Sequence, residues 1–246
     1  MSVLVVTGTG TGVGKTVVTA ALATLAATRG ASVAVVKPAQ TGVRPGEPGD
    51  LDDVRRLSGV THLHEHARFP DALAPAAAAR ASGRPPLDLR RSADGIRELA
   101  QDHRLVVIEG AGGLLVRYDD DGATIADLAR LVGAPVLVVA DAGLGTLNHT
   151  ALTLEALAHR GLDLAGVVVG SWPAQPGLAE RANVRDLETI AARPLTGAIA
   201  AGAGRLDASD FLLAARAGLA PALGGTFDAA DFRRSAESSP RQEDHT

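Results

Sequence analysis

The chain of 246 residues has no cysteine, two lysines, 2% aromatic residues and no apolar run approaching a membrane span. Each scarcity removes a class of explanation. Without cysteine there are no disulfides, no thiol nucleophile and no thiolate metal site, which fits a reducing compartment. A helical span needs roughly 20 apolar residues. The opening run Val3–Val6 reaches glycine after one short strand and has no basic segment before it, so it does not read as a signal peptide. A soluble cytoplasmic protein without a membrane partner is expected. The aromatic residues are Phe69, Tyr118, Trp172, Phe211, Phe227 and Phe232. They offer little surface for stacking bases, and a net charge of −4 argues against a broad basic face for nucleic acid. The core must be built from Val, Leu, Ile and Ala.

The lysine count is informative in itself. Arginine supplies every basic residue except Lys15 and Lys37. Where arginine serves as the general surface cation, a retained lysine marks a place that needs a compact ammonium on a thin stem, which a planar guanidinium cannot imitate.

Short, β-branched, nearly continuous apolar runs recur at 3–7, 32–36, 104–108, 135–140, 164–169 and 195–199. That is the pattern of strands buried on both faces of a parallel sheet. Helix-like stretches lie between most of them, at 15–28, 51–57, 90–101, 124–131, 147–160 and 178–192, and another follows at 207–219. Strand and helix in alternation predict an α/β fold with a mostly parallel central sheet. No Gly/Pro-rich linker divides the chain, so residues 1–225 are expected to form one domain. Residues 226–246 read as a tail, polar and disordered from about Arg233. The stretch Gly42–Asp50 reads as a mobile loop, and His62-Leu63-His64-Glu65-His66 as a solvated linker rather than a zinc site.

The first strand runs into Thr7-Gly8-Thr9-Gly10-Thr11-Gly12-Val13-Gly14-Lys15-Thr16. A glycine-rich turn between strand and helix turns backbone N–H groups toward an anion, and the helix N-terminus adds its positive pole. Lys15 can reach β- and γ-phosphates, and Thr16 can place its hydroxyl on Mg²⁺. The usual pattern wants glycine where Thr9 stands, so Gly8 or Gly10 must supply the turn. Lys37 ends the second strand and leaves the sheet at the same edge. Glu109 ends the third and enters Gly110-Ala111-Gly112-Gly113. Glu109 reads as a metal ligand at a ligand-facing strand end or as a solvated terminus. Asp50 reads equally as a metal ligand or as the cap of the helix that follows it.

These segments, with Lys37-Pro38-Ala39-Gln40-Thr41-Gly42 and Gly145-Thr146-Leu147-Asn148-His149, resemble in order the successive motifs of the dethiobiotin synthetase family, from about Val3 to Phe211. The resemblance implies a single-domain, P-loop NTPase-like three-layer fold. It also implies ATP- and Mg²⁺-dependent carboxylation and ring closure of 7,8-diaminononanoate (7,8-diaminopelargonate) by CO₂ in biotin biosynthesis. A carbamate formed on one amine attacks the γ-phosphate, and the second amine displaces phosphate from the mixed anhydride. Thr11, Lys15, Lys37 and Thr41 match positions that hold the diamine, carbamate or γ-phosphate. Thr16, Asp50 and Glu109 match the magnesium positions. Nucleotide contacts are implied for Gly12, Val13, Gly14, Val17, Gly110, Ala111 and Gly112, and for Gly170, Ser171, Ala200, Ala201 and Gly202 near the base. Gly145, Thr146 and Asn148 match the helix start where a neighbouring subunit receives the diamine's distant carboxylate, which implies a homodimer with its sites at the interface. Family members commonly have an asparagine-containing turn where this chain has Gly170-Ser171-Trp172-Pro173, and many have an acidic residue where Gly12 stands. Nucleoside triphosphates other than ATP are therefore admitted as co-substrates.

Two other readings share the phosphate loop. A ParA/MinD-like positioning ATPase usually carries a further lysine early in the loop, where this chain has Gly10. A glutamine-dependent amide synthase needs a cysteine nucleophile, which the chain lacks.

Overall fold

The computed structural model describes residues 2–238. The chain runs β1 (Ser2–Gly8), α1 (Lys15–Ala27), β2 (Val33–Lys37), β3 (Gln40–Thr41), α2 (Asp50–Ser58), β4 (His62–Glu65) and β5 (Arg68–Phe69). It continues through α3 (Pro75–Ser82), α4 (Leu89–Asp102), β6 (Leu105–Gly113), α5 (Ile125–Val132), β7 (Val136–Ala140) and α6 (Thr146–His159). It closes with β8 (Leu164–Trp172), α7 (Leu178–Ala191), β9 (Gly197–Ala200), α8 (Ala208–Gly218) and α9 (Ala229–Ser238).

Alternation along each strand sorts the apolar residues into two layers. Val5, Val36, Ile108 and Val138 pack on one face with residues of α4, α5, α6 and α7, such as Ile96, Leu128, Leu157 and Leu187. Val6, Val35, Val107 and Val139 pack on the other with α1, α2 and α8, through Leu22, Val54 and Phe211. Both faces are covered, so the middle residues of these strands are apolar on both sides, as parallel sheets require, and polar side chains such as Lys37 and Glu109 come toward their carboxyl ends. Among the described residues the main sheet has seven strands, ordered β4-β2-β6-β1-β7-β8-β9, and all its pairings are parallel.

This order positions the site. From β1 the chain crosses by α1 to β2 on one side, and β7 later joins on the other. A ligand crevice opens at the carboxyl ends of the strands where such a reversal occurs. β2, β6 and β1 are adjacent, so Lys37, Glu109 and the loop after Gly8 leave the sheet side by side.

Three expectations need correction. The histidine stretch 62–65 is not a linker. It is an edge strand in parallel register with β2, pairing Ala34 with His62 and Lys37 with Glu65. His66 bonds Ser92 Oγ through Nδ1 at 2.7 Å. The tail is not disordered from Arg233, because residues 229–238 form a helix. Phe232 meets Trp172 edge-on with ring centroids 4.9 Å apart, Ala236 is buried, and Arg233 pairs with Glu188 at 2.5 Å. One aromatic, one buried alanine and one ion pair therefore anchor a largely polar segment. The part of the expected tail from residue 239 on lies outside the described residues. Third, Asp50 does not cap α2. It is that helix's first residue, and the backbone N–H of Gly49 is taken instead by the Asp52 carboxylate at 2.7 Å.

Candidate active site

The phosphate loop is held from behind by close backbone packing. Gly14 has φ 96°, a left-handed conformation natural to glycine, and a Cβ there would come within 2.5 Å of the Gly170 carbonyl oxygen. A Cβ on Gly170 would overlap the Val13 carbonyl oxygen and the Val139 side chain. Gly170 thus lets β8 and the loop touch backbone to backbone. Gly8 makes the tight turn, since a Cβ there would lie 2.7 Å from the Gly10 carbonyl oxygen, whereas one on Gly10 meets nothing within 4 Å. Thr9 N–H donates to the Val139 carbonyl at 2.9 Å and ties the loop to β7.

Lys15 opens α1 and is buried. Its ammonium donates to the Gly10 carbonyl at 2.9 Å. Burial and the neighbouring positive charge of Lys37 lower its pKa to about 8, against the attraction of Glu109 and Asp50. Lys37 behaves oppositely. Burial alone would depress it, but Glu109 and Asp50 outweigh burial and hold it above the ordinary lysine value. Its ammonium donates to Glu109 Oε1 at 2.7 Å and to the Gly110 carbonyl at 3.3 Å, and it pairs with Asp50 Oδ2. Those three partners use its three protons. Asp50 is driven below the usual carboxylate range, because the Lys37 charge overcomes the effect of burial.

Glu109 is completely buried, so it is not a solvated strand end. Burial raises its pKa while Lys37 opposes the rise. Oε1 also accepts from the Thr16 hydroxyl at 2.8 Å, but Oε2 is buried with no hydrogen-bond partner. An orphaned carboxylate oxygen beside a hydroxyl and a second carboxylate is a donor set that suits a hard divalent cation. Behind it the buried Tyr118 hydroxyl, its pKa pushed up to about 12 by burial, accepts from the Ala111 N–H at 2.8 Å and fixes the end of β6.

One cleft of about 760 Å³ is lined by Thr11, Gly12, Gly14, Lys15, Thr16, Val17, Lys37, Thr41, Asp50, Glu109, Ala111 and Gly112. The two lysines therefore share a single cleft. Gln40, Leu73, Pro75 and Val116 also line it; of these, only Gln40 lies inside a motif conspicuous in the sequence. Other expected site residues lie apart. Val13 is buried beneath the loop, and Gly110 sits against Ile125 and Val6. Ser171, Ala200, Ala201 and Gly202 lie at the ends of β8 and β9, joined by the Ala201 N–H donating to the Trp172 carbonyl at 2.7 Å. Gly145, Thr146 and Asn148 start α6 outside this cleft. Thr146 is buried with its hydroxyl given to the Asp141 carbonyl at 2.7 Å, while Asn148 is exposed.

Comparison with known proteins gives this geometry a lineage. Residues 2–201 match the AAA domain family. The chain is 67% identical over 234 residues to the ATP-dependent dethiobiotin synthetase BioD of Parafrankia sp. (strain EAN1pec), covering 95% of this chain and 98% of that protein. The chain belongs to the dethiobiotin synthetase family. The synthetase of Frankia casuarinae is 68% identical over 233 residues, covering 95% of this chain and 98% of its own. That of Streptomyces coelicolor is 56% identical over 232 residues, covering 94% and 98%. Among solved structures, a Cyanothece McdA variant in complex with ATP superposes with a TM-score of 0.56 at 15% identity, covering 93% of this chain and 98% of that one. The septum site-determining protein MinD from Pyrococcus horikoshii, complexed with Mg-ADP, gives 0.51 at 17%, covering 81% of each. At such identities the likeness speaks for the fold alone.

The glycine packing makes a contrasting pair of variants. Gly170→Ala should push the loop off β8 and weaken ATP binding by roughly tenfold or more, the scale of an overpacked site, measured by isothermal titration calorimetry. Gly10→Ala, with open space for its methyl, should stay within about twofold. Equal effects would show that the contact with β8 does not shape the loop.

Proposed function

We propose that this chain is a cytoplasmic cyclo-ligase that makes dethiobiotin from 7,8-diaminononanoate, CO₂ and a nucleoside triphosphate, ATP first among them. The observation that carries the reading is near-full-length kinship with dethiobiotin synthetases. The cleft supplies a physical account of how the reaction would run. One amine of the diamine adds to CO₂ and loses a proton, giving a carbamate. A carbamate oxygen then attacks the γ-phosphorus, and the bond from that phosphorus to the ADP oxygen breaks. The second amine attacks the carbamoyl carbon and gives up a proton, the bond to the phosphorylated oxygen breaks, and phosphate leaves carrying that proton as the ring closes.

The difficult step brings one anion onto another. Fixed positive charge in a water-poor site lowers that barrier most. Lys37 is kept charged by Asp50 and Glu109 and faces the cleft from β2. Lys15, its pKa lowered to about 8, regains full charge when phosphate oxygens arrive beside it. Thr11 and Thr41 line the same cleft and offer hydroxyls to carbamate and diamine. Backbone from Gly12 to Thr16 cradles the phosphates, with Val17 at its margin and Ala111 and Gly112 opposite, while Gly110 serves the site through its carbonyl on Lys37. Mg²⁺ would be held by Thr16, Asp50 and Glu109, and it would supply charge neutralisation on the phosphate oxygens. For the base, Gly170 and Ser171 with Ala200, Ala201 and Gly202 offer mainly backbone groups, a sparse reader that leaves room for other nucleotides.

A homodimer suits the outer surface. Leu115, Leu144 and Leu152 are 47%, 94% and 56% exposed. Leu115 and Leu152 flank a groove beside the phosphate loop that His149 also lines. Apolar side chains this exposed call for cover, and a two-fold partner would bring its own α6 start, with Gly145, Thr146 and Asn148, toward this cleft. The MinD-like reading gains no observation of its own beyond the shared fold.

Mass spectrometry should detect dethiobiotin only when diamine, bicarbonate, Mg²⁺ and nucleotide are all present. Lys37→Arg should cut turnover by about a hundredfold or more while ATP still binds, because a guanidinium cannot place one atom among three acceptors. Nucleotide hydrolysis indifferent to the diamine, or near-normal turnover of the variant, would count against the reading. Sedimentation velocity should report about twice the 25.0 kDa chain mass; a monomer throughout the working concentration range would remove the shared site.

A further inference from the structure

We infer that Arg68 and Gln40 form a clamp that sets Asp50 against Lys37, which makes Arg68 a positioning residue for a cleft that it does not line. The inference rests on the proposed role of Asp50.

The clamp follows from strand register. β3 and β5 form a small parallel pair beside the main sheet, in which Gln40 lies opposite Arg68. In the main sheet Glu65 lies opposite Lys37. Glu65 takes Arg68 with both carboxylate oxygens, from Nε at 2.6 Å and Nη2 at 2.8 Å. This fork fixes the guanidinium plane. The remaining nitrogen, Nη1, donates to the carbonyls of Glu47 at 2.6 Å and Arg44 at 3.2 Å. Arg68 thereby fastens the loop before α2 to the edge strand beside Lys37.

Gln40 completes the grip. Its Oε1 accepts the Asp50 N–H at 2.9 Å. Gly49 lies between the two side chains, and a Cβ there would come within 2.9 Å of Gln40 Oε1 and 3.1 Å of Arg68 Nη2. Its φ of −118° is open to any residue, so the need for glycine is one of space. Residues 44–48 are exposed and include two prolines, so apolar burial does not hold this loop. Ordering backbone costs conformational entropy, and these polar contacts are what offset it. They explain why the sequence pattern of a mobile loop ends in a placed carboxylate.

A double-mutant cycle tests the clamp: Arg68→Gln, Asp50→Asn and both together, read as kcat and as hydrogen exchange of the amides from residue 44 to residue 50. Arg68→Gln should lower kcat about tenfold with little change in the KM for ATP. It should speed exchange across the loop and have less than about twofold effect once Asp50→Asn is present. Gly49→Ala should reproduce the exchange change. An equal loss of kcat in both backgrounds, or unchanged exchange, would overturn the clamp. Normal turnover in Asp50→Asn would instead overturn the role given to Asp50, and the exchange data would still decide whether Arg68 holds the loop.

Discussion

The rest of the site is arranged around an ammonium group buried between two carboxylates. Removing one charge from water costs several kcal/mol, and a buried pair recovers this only with good geometry and full hydrogen bonding. Lys37 meets that condition, with Glu109, Asp50 and the Gly110 carbonyl around a single nitrogen. Glu109 does not, because one of its oxygens has no partner. With Lys15 counted, two cations face two anions, and the side chains of the cleft by themselves are close to neutral. A polyanionic nucleotide would change that balance, and under the proposed function a divalent cation held with the help of the orphaned oxygen would restore it.

Topology makes so compact a cluster possible with little chain. Lys37, Glu109 and the phosphate loop come from strands far apart in sequence but adjacent in the sheet. Each needs only a strand end, and the strands are rigid because both faces are covered by packed helices. Rigid supports suit a reaction in which charge must wait in place. The glycines at 14 and 170 serve the same end, because they let the loop rest directly on β8.

Local signals make much of this legible. Strand-like runs bounded by glycine, and a Gly-Lys-Thr at a helix start, are short-range patterns. The scarcity of lysine singles out both cleft ammoniums. What stays hidden depends on contacts between distant segments. The strand at 62–65 carries three polar residues in four and becomes a strand only because β2 offers it an edge. The helix at 229–238 relies on Phe232 finding Trp172. Arg68 acts across register on a loop some twenty residues earlier, and no spacing rule reveals that. Gly170 is conspicuous for its place after a strand, yet what it touches is the phosphate loop.

Because the chain has only two lysines, their side-chain nitrogens can be watched individually. Protein labelled with ¹⁵N-lysine, free of nucleotide and metal, should show two Nζ signals by NMR across a pH titration. One, assigned to Lys15 by its loss in Lys15→Ala, should titrate at about 8. The Lys37 signal should remain that of an ammonium past the ordinary lysine value of about 10.4. Two signals titrating together near that ordinary value would contradict the buried, carboxylate-held charge at Lys37.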